Sequence, residues 1–170
     1  MRHLLLAVER SLQAGNHYAA LALALAFPDI CGWVEDPNSK SKARYISWFE
    51  KYLQSKYTRP ATTSSPEHVF LTGSDCYALR CAYLHEGRED IADQGAQRVL
   101  ESFQFVVPPT SWIVHLNQID STLQLQVDIF CREVLDGVRQ FLADVTNNSD
   151  ASARLTKMIL IRDINGLPIQ

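Results

Sequence analysis

Residues 76–87 read CYALRCAYLHEG, and they place Arg80 and His85 in a segment that is otherwise largely apolar. Apolar residues recur in this segment at helical spacing, which predicts the core-facing stripe of a helix. The stripe consists of Cys76, Leu79, Tyr83 and Leu84. The segment therefore predicts an interior helix that carries a guanidinium and an imidazole near its end.

Polar residues and a glycine predict where this helix begins and ends. Ser74 or Asp75 is suited to cap its start, because a short polar side chain accepts a hydrogen bond from a free N–H group of the first turn. Gly87 is suited to end it by adopting a left-handed conformation. The preceding stretch, residues 58–68 (TRPATTSSPEH), has the proline, serine and threonine content of a loop.

Three further helices are predicted before this one. Apolar residues at helical spacing predict helices from Arg2 to Ala14 and from Ala43 to Tyr57. Residues 18–27 (YAALALALAF) are apolar on every side, which predicts a second helix, from His17 to Phe27, at the centre of a bundle. The apolar run stops before Pro28, well short of the ~20 residues that a membrane span needs. A core helix and no membrane contact are therefore expected.

The apolar period changes from helical to two-fold in the C-terminal half, which predicts a small antiparallel sheet with Pro108-Pro109 in its first connection and a turn at Asp120-Ser121. The alternating positions are Phe103, Phe105, Val107, Val114, Leu116, Leu123, Leu125 and Val127. A fifth long helix is predicted from Ile129 to Val145. The last residues predict a strand that turns at Asn165-Gly166.

Length and composition restrict the class of protein. The 170 residues suit one domain, and the 46% hydrophobic and 21% charged residues are normal for a soluble globular chain. A formal net charge of -3 argues against a protein that binds nucleic acid through a broad basic surface. Four cysteines form no CxxC pair and no export signal is evident, so reduced thiols and a cytoplasmic location are expected.

Arg80 and His85 together suggest a reaction on RNA. A histidine can take the proton from a ribose 2′-hydroxyl or give one to the leaving oxygen, and a guanidinium stabilises the phosphate in the transition state. DNA lacks that hydroxyl, so RNA is the implied substrate, and this chemistry needs no metal. On a regular helix, residues five apart project about 140° from each other. We therefore expect the two groups to form one cleft only when a second copy of the helix packs about a two-fold axis.

The helical pattern with LRCAYLHEG near the end of an interior helix resembles the HEPN superfamily, whose motif is an arginine, four to six residues and a histidine. Arg80 and His85 match with four intervening residues, and the flanking residues Leu79, Leu84 and Gly87 are also similar to family members. The resemblance covers about residues 1–90 and 129–145, and we expect residues 98–127 to form a β-hairpin elaboration within a single domain, 1–170.

This resemblance implies a mainly α fold, a bundle of about five helices that forms a homodimer through the motif helix. It also implies a metal-independent endoribonuclease without a cofactor, in a toxin–antitoxin or antiphage context, with an antitoxin or nucleotidyltransferase as a possible partner. Arg80 and His85 would then be catalytic. Tyr77 and Arg88 are the candidate substrate-binding residues, by stacking and by phosphate contact respectively.

Other roles for these residues remain open. Arg80 is equally suited to a salt bridge with a carboxylate of Asp75, Glu86 or Glu89, and His85 to binding the last free carbonyls of its helix. Cys81 follows the arginine, where active HEPN members often carry a polar residue. This departure favours a non-catalytic dimerisation or binding module that engages RNA or a partner protein. The cationic cluster of Lys40, Lys42 and Arg44 is expected to be a solvated helix start or an RNA contact.

Overall fold

The structure is a computed structural model that describes residues 1–94 and 100–162. Within these ranges the chain is mainly helical, as predicted. The α-helices are α1 (Arg2–Gln13), α2 (His17–Glu35), α3 (Ser41–Tyr52), α4 (Gly73–Cys81), α5 (Val127–Asp144) and α6 (Ser149–Leu155). A 3-10 turn, Gln54–Tyr57, follows α3, and a π-helical turn, Ala82–Glu86, follows α4.

The helix α2 lies at the centre of the bundle, where it packs against α1, α3 and α5. Its central position was predicted, but the predicted end at Phe27 is wrong, because the helix continues through Pro28 to Glu35. Proline removes one backbone hydrogen bond from a helix interior and crowds the preceding turn. Cys31, Gly32 and Val34 are buried beyond the proline. Their packing outweighs the cost of the proline.

By length and composition alone, α2 also meets the requirement of a membrane span. An 18-residue window of this 19-residue helix has a mean hydropathy of 1.3. Half of that window is buried inside the protein, which is also the behaviour of the core helix of a soluble bundle.

The helices α2 and α3 approach each other closely at Gly32. A Cβ atom placed on Gly32 would lie 2.8 Å from the backbone oxygen of Arg44 and 3.1 Å from the Arg44 Cβ. A backbone oxygen cannot turn aside as a flexible side chain can. The close contact between these helices therefore depends on a residue without a side chain.

We expect Gly32→Ala to lower the free energy of unfolding by about 2 kcal/mol, because the cost of overpacking exceeds the gain in helix propensity. Urea denaturation measures the change. The comparison variant is Gly15→Ala, where no atom lies within 4 Å but φ is +71°; only the backbone strain of about 1 kcal/mol applies there. An unchanged or more stable Gly32→Ala protein would contradict the close crossing.

The other predicted helices are confirmed with shifted limits. The helices predicted at 2–14 and 129–145 agree with α1 and α5 to within two residues. The predicted helix from Ala43 to Tyr57 instead begins at Ser41 and breaks after Tyr52. The 3-10 turn that follows places Tyr57 in the core, where its hydroxyl donates a hydrogen bond to Glu133 at 2.7 Å.

The strands form two small sheets. In the first, β1 (Thr58–Arg59) pairs antiparallel with β2 (His68–Val69). The second has the order β3-β5-β4, with β3 at Ser102–Val106, β4 at Asn117–Ile119 and β5 at Thr122–Gln126. The predicted hairpin turn at Asp120-Ser121 is confirmed, because Ile119 pairs with Thr122 across it.

The prediction of a purely antiparallel sheet is wrong, because β3 and β5 pair in parallel, with Phe103 opposite Leu123. Leu123 and Leu125 are fully buried. The most apolar strand thus takes the middle of the sheet, and the polar β4 stays at its edge. The predicted strand turn at Asn165-Gly166 lies outside the described residues, as does the start of the predicted β segment at 98–99.

The four cysteines are unpaired, as predicted. Cys31, Cys76 and Cys131 are buried, and Cys81 is half-buried. Burial raises the pKa of the Cys76 and Cys131 thiols to about 12. These two side chains therefore remain protonated at neutral pH and serve as small core residues.

Candidate active site

The helix α4 begins at a reciprocal cap that was not predicted. Thr72, and not Ser74 or Asp75, is the N-cap residue: its Oγ1 accepts a hydrogen bond from the Asp75 N–H at 3.1 Å. The same hydroxyl donates to Asp75 Oδ2 at 2.6 Å. The carboxylate of Asp75 is buried and serves the start of the helix.

A π-helical turn brings Arg80 and His85 together at the other end of α4. A π turn has more residues per turn than an α-helix, so it reduces the angle between a residue just before the turn and a residue within it. Arg80 Nη1 lies 3.1 Å from His85 Nε2. Gly87 ends the turn with φ at +67°, as predicted. The expectation that the two side chains need a second copy to meet is wrong, because it assumed a regular α-helix. We call Arg80 and His85 the motif pair.

The stripe predicted for this helix is partly confirmed. Cys76 and Leu79 are fully buried, and Tyr83 is half-buried with its hydroxyl donating to the Tyr18 carbonyl at 3.3 Å. Leu84 was predicted in the core but is 37% exposed. The π turn shifts Leu84 away from the bundle because it widens the last turn of the helix.

A carboxylate of α2, Asp29, holds Arg80 in place. Arg80 Nη2 lies 3.5 Å from Asp29 Oδ2, and Arg44 Nε donates to Asp29 Oδ1 at 2.6 Å. Ser41 Oγ donates to Asp29 Oδ2 at 3.0 Å. The side chains of Asp29, Arg80 and Arg44 are 16%, 19% and 20% exposed. These ion pairs are shielded from water and are stronger than pairs on an open surface.

The cluster of Asp29, Arg80 and Arg44 has a charge that favours the binding of an anion. One carboxylate faces two guanidinium groups, so the cluster keeps a net positive charge. Arg80 Nε is buried and has no hydrogen-bond partner among the described residues. Arg80 Nη1 also lies 4.0 Å from Cys81 Sγ, a weak contact. His85 is exposed, so a ligand held by the guanidinium groups can reach its imidazole.

Tyr77 lies at the side of this cluster. Its ring packs edge-on against Tyr45, with 5.3 Å between the ring centres. Burial, followed by the neighbouring Cys81, raises the pKa of the Tyr77 hydroxyl, which also contacts Ser41. The packing fixes the ring in the fold, and the predicted role in substrate binding remains a prediction.

Arg88 contacts residues other than the motif pair, and its predicted role in phosphate binding remains a prediction. Arg88 is exposed and forms an ion pair with Glu86 at 2.6 Å. It lines a separate open groove of about 510 Å³, together with Tyr18, Leu21, Leu79, Tyr83, Gly87, Glu89, Asp90 and Phe105. Among the described residues, no hydrogen bond or ion pair joins Arg88 to the motif pair.

Sequence reasoning missed Asp29 as the partner of Arg80. It proposed Asp75, Glu86 or Glu89, which are near Arg80 in sequence. Asp29 is distant in sequence, because it lies on α2 and the whole of α3 stands between it and α4 in the chain. One signal pointed to it: Asp29 is the single charged residue between Tyr18 and Val34. A lone carboxylate in so apolar a helix requires a cationic partner.

No group of three or more histidine, cysteine, aspartate or glutamate side chains in residues 1–94 and 100–162 is arranged to hold a metal ion. Comparisons of the chain with protein-family models, with curated proteins and with solved structures found no match. The site is therefore described by its geometry alone. It is a guanidinium–imidazole pair at the surface. A shielded carboxylate holds the guanidinium at the point where three helices meet.

Proposed function

We propose that this chain is a metal-independent endoribonuclease of the HEPN type, in which the motif pair carries the reaction. The observation that supports this function is the 3.1 Å contact between Arg80 Nη1 and His85 Nε2, which a π turn creates at the end of α4. A general base and a cationic phosphate ligand are thereby adjacent, as cleavage of a phosphodiester requires.

The reaction follows from the two side chains. The neutral imidazole of His85 takes the proton of a ribose 2′-hydroxyl, and the 2′-oxygen attacks the adjacent phosphorus. The bond from phosphorus to the 5′-oxygen breaks, and that oxygen takes up a proton. The products are a 2′,3′-cyclic phosphate and a 5′-hydroxyl. Arg80 binds the phosphate oxygens, whose negative charge increases in the transition state.

The reaction needs both a base and an acid, and the motif pair of one chain offers one histidine. A homodimer through the motif helix would supply a second histidine as the acid that protonates the leaving oxygen. His85, Leu84 and Tyr18 are exposed and available for such an interface. An antitoxin or a nucleotidyltransferase partner would restrain this activity in a toxin–antitoxin or antiphage context.

The experiment incubates the purified protein with single-stranded RNA in excess chelator, beside the same sequence with 2′-deoxy sugars. We expect cleavage of the RNA to a 2′,3′-cyclic phosphate, and no cleavage of the deoxy strand, because that strand lacks the attacking hydroxyl. Mass spectrometry of the fragments identifies the ends. Equal cleavage of both strands, or loss of activity in chelator, would contradict the mechanism.

A second function is a non-catalytic dimerisation or binding module that engages RNA or a partner protein. The observation that favours it is the contact of Arg80 with Asp29, since an arginine that only joins α2 to α4 would form the same ion pair. Repeating the cleavage experiment on a varied panel of RNAs separates the two functions, because a binding module leaves every RNA intact.

A further inference from the structure

Three cations lie at the start of α3, which is joined to the motif pair through Asp29. Lys40 and Lys42 are exposed, and Arg44 shares Asp29 with the motif pair. Neither lysine takes part in an ion pair among the described residues. Asp36, the carboxylate nearest in sequence, accepts hydrogen bonds from Ser39 Oγ and the Asn38 N–H.

The contacts of α3 place one side of this group against α2. Ser41 Oγ donates to Asp29 Oδ2, so the first residue of α3 lies next to the carboxylate that also holds Arg80. The Arg44 N–H donates to the Lys40 carbonyl at 3.1 Å. Lys40 is the N-cap residue of α3, so it directly precedes the residue that contacts Asp29.

The other lysine lies on the side of α3 that faces α4. Ile46 follows Lys42 by one turn on the same face. Ile46 contacts α4 closely, because a Cβ atom on Gly73 would lie 3.1 Å from the Ile46 backbone oxygen. Lys40 and Lys42 therefore flank Ser41, the residue of α3 that contacts Asp29. Asp29 thus joins the start of α3, which carries both lysines, to Arg80 near the end of α4.

We propose that Lys40, Lys42 and Arg44 form a binding track for the RNA phosphates that flank the one held by the motif pair. The track rests on the proposed function. It predicts where the RNA on either side of the reacting phosphate binds. Flexible lysines bind phosphates as point charges without reading sequence, while the guanidinium of Arg80 fixes the reacting phosphate. A local track of this kind accounts for RNA binding by a chain whose net charge is -3.

The test measures the affinity of the full chain for a fully 2′-O-methylated single-stranded RNA, which cannot be cleaved, at a series of salt concentrations. The variants are Lys40→Gln, Lys42→Gln and the double substitution. The control is Lys56→Gln, an exposed lysine in the turn beyond the opposite end of α3. We expect the double variant to bind about 10-fold more weakly, with the slope of log affinity against log salt reduced by about 1.4, as two lost phosphate contacts require.

The outcomes separate this track from the proposed function. A loss of affinity in the double variant and none in Lys56→Gln supports the track. Wild-type affinity in the double variant overturns the track but leaves cleavage by the motif pair intact. If the wild-type protein binds no RNA at any salt concentration, both the track and the ribonuclease function are overturned.

Discussion

Replacing His85 with alanine is expected to slow RNA cleavage by about 10³-fold, because removal of a general base or acid costs between 10² and 10⁴ in rate. The fold should not change, because His85 is exposed and its ring contacts Arg80 rather than the core. Initial rates on a short fluorogenic RNA measure the effect, and thermal unfolding by circular dichroism shows whether the variant is as stable as the wild type.

The matched control is His68→Ala. His68 is half-exposed and hydrogen-bonded, and its Nε2 contacts Gln118 at 3.0 Å, on the strands rather than at the motif pair. Cleavage by this variant should stay within about 3-fold of the wild-type rate, since no group near the phosphate is lost. A similar fall in both variants would mean that His85 acts on the fold and not on the reaction.

Mixing inactive subunits tests whether the motif pair acts within one chain. In the structure Arg80 contacts His85 of its own chain. A mixed dimer of Arg80→Ala and His85→Ala chains contains no intact pair, so unfolding and refolding the two together should restore no activity. Recovery of about a quarter or more of the wild-type rate would show instead that the arginine of one copy serves the histidine of the other.

The helical architecture could be predicted from the sequence because its cause is local. Apolar positions one turn apart require burial on one side, and α1 and α5 follow that pattern closely. Gly87 ends the motif helix because only glycine adopts a positive φ without strain. These signals lie within a few residues of the elements that they define.

The parts that could not be predicted depend on distant residues. The helix α2 passes through Pro28 because the residues after it pack against α3, which no local pattern records. The order of the second sheet depends on the burial of Leu123 and Leu125 against the bundle. The motif pair was identified from its spacing, but its contact within one chain depends on a π turn, and a spacing argument assumes regular α-helical geometry.

Replacing Asp29 with alanine is expected to damage both stability and activity. The free energy of unfolding should fall by about 2–3 kcal/mol, somewhat less than for a fully buried ion pair, because two guanidinium groups lose one shared carboxylate. Arg80 then loses its anchor on α2, and a displacement of about 1 Å from the phosphate can cost about 10²-fold in rate. Urea denaturation gives the first effect, and cleavage rates measured well below the unfolding midpoint give the second.

The control for this prediction is Glu35→Ala, which removes a carboxylate from the same helix. Glu35 pairs with Lys51 at 2.7 Å, but their side chains are 36% and 50% exposed. An exposed pair contributes at most about 1 kcal/mol, so Glu35→Ala should change stability little and cleavage not at all.

A role of Asp29 in positioning Arg80 also requires that kcat falls more than KM rises, since the arginine binds most strongly to the charge of the transition state. If Asp29→Ala loses stability but folded protein retains the wild-type kcat, the carboxylate joins the helices without orienting Arg80.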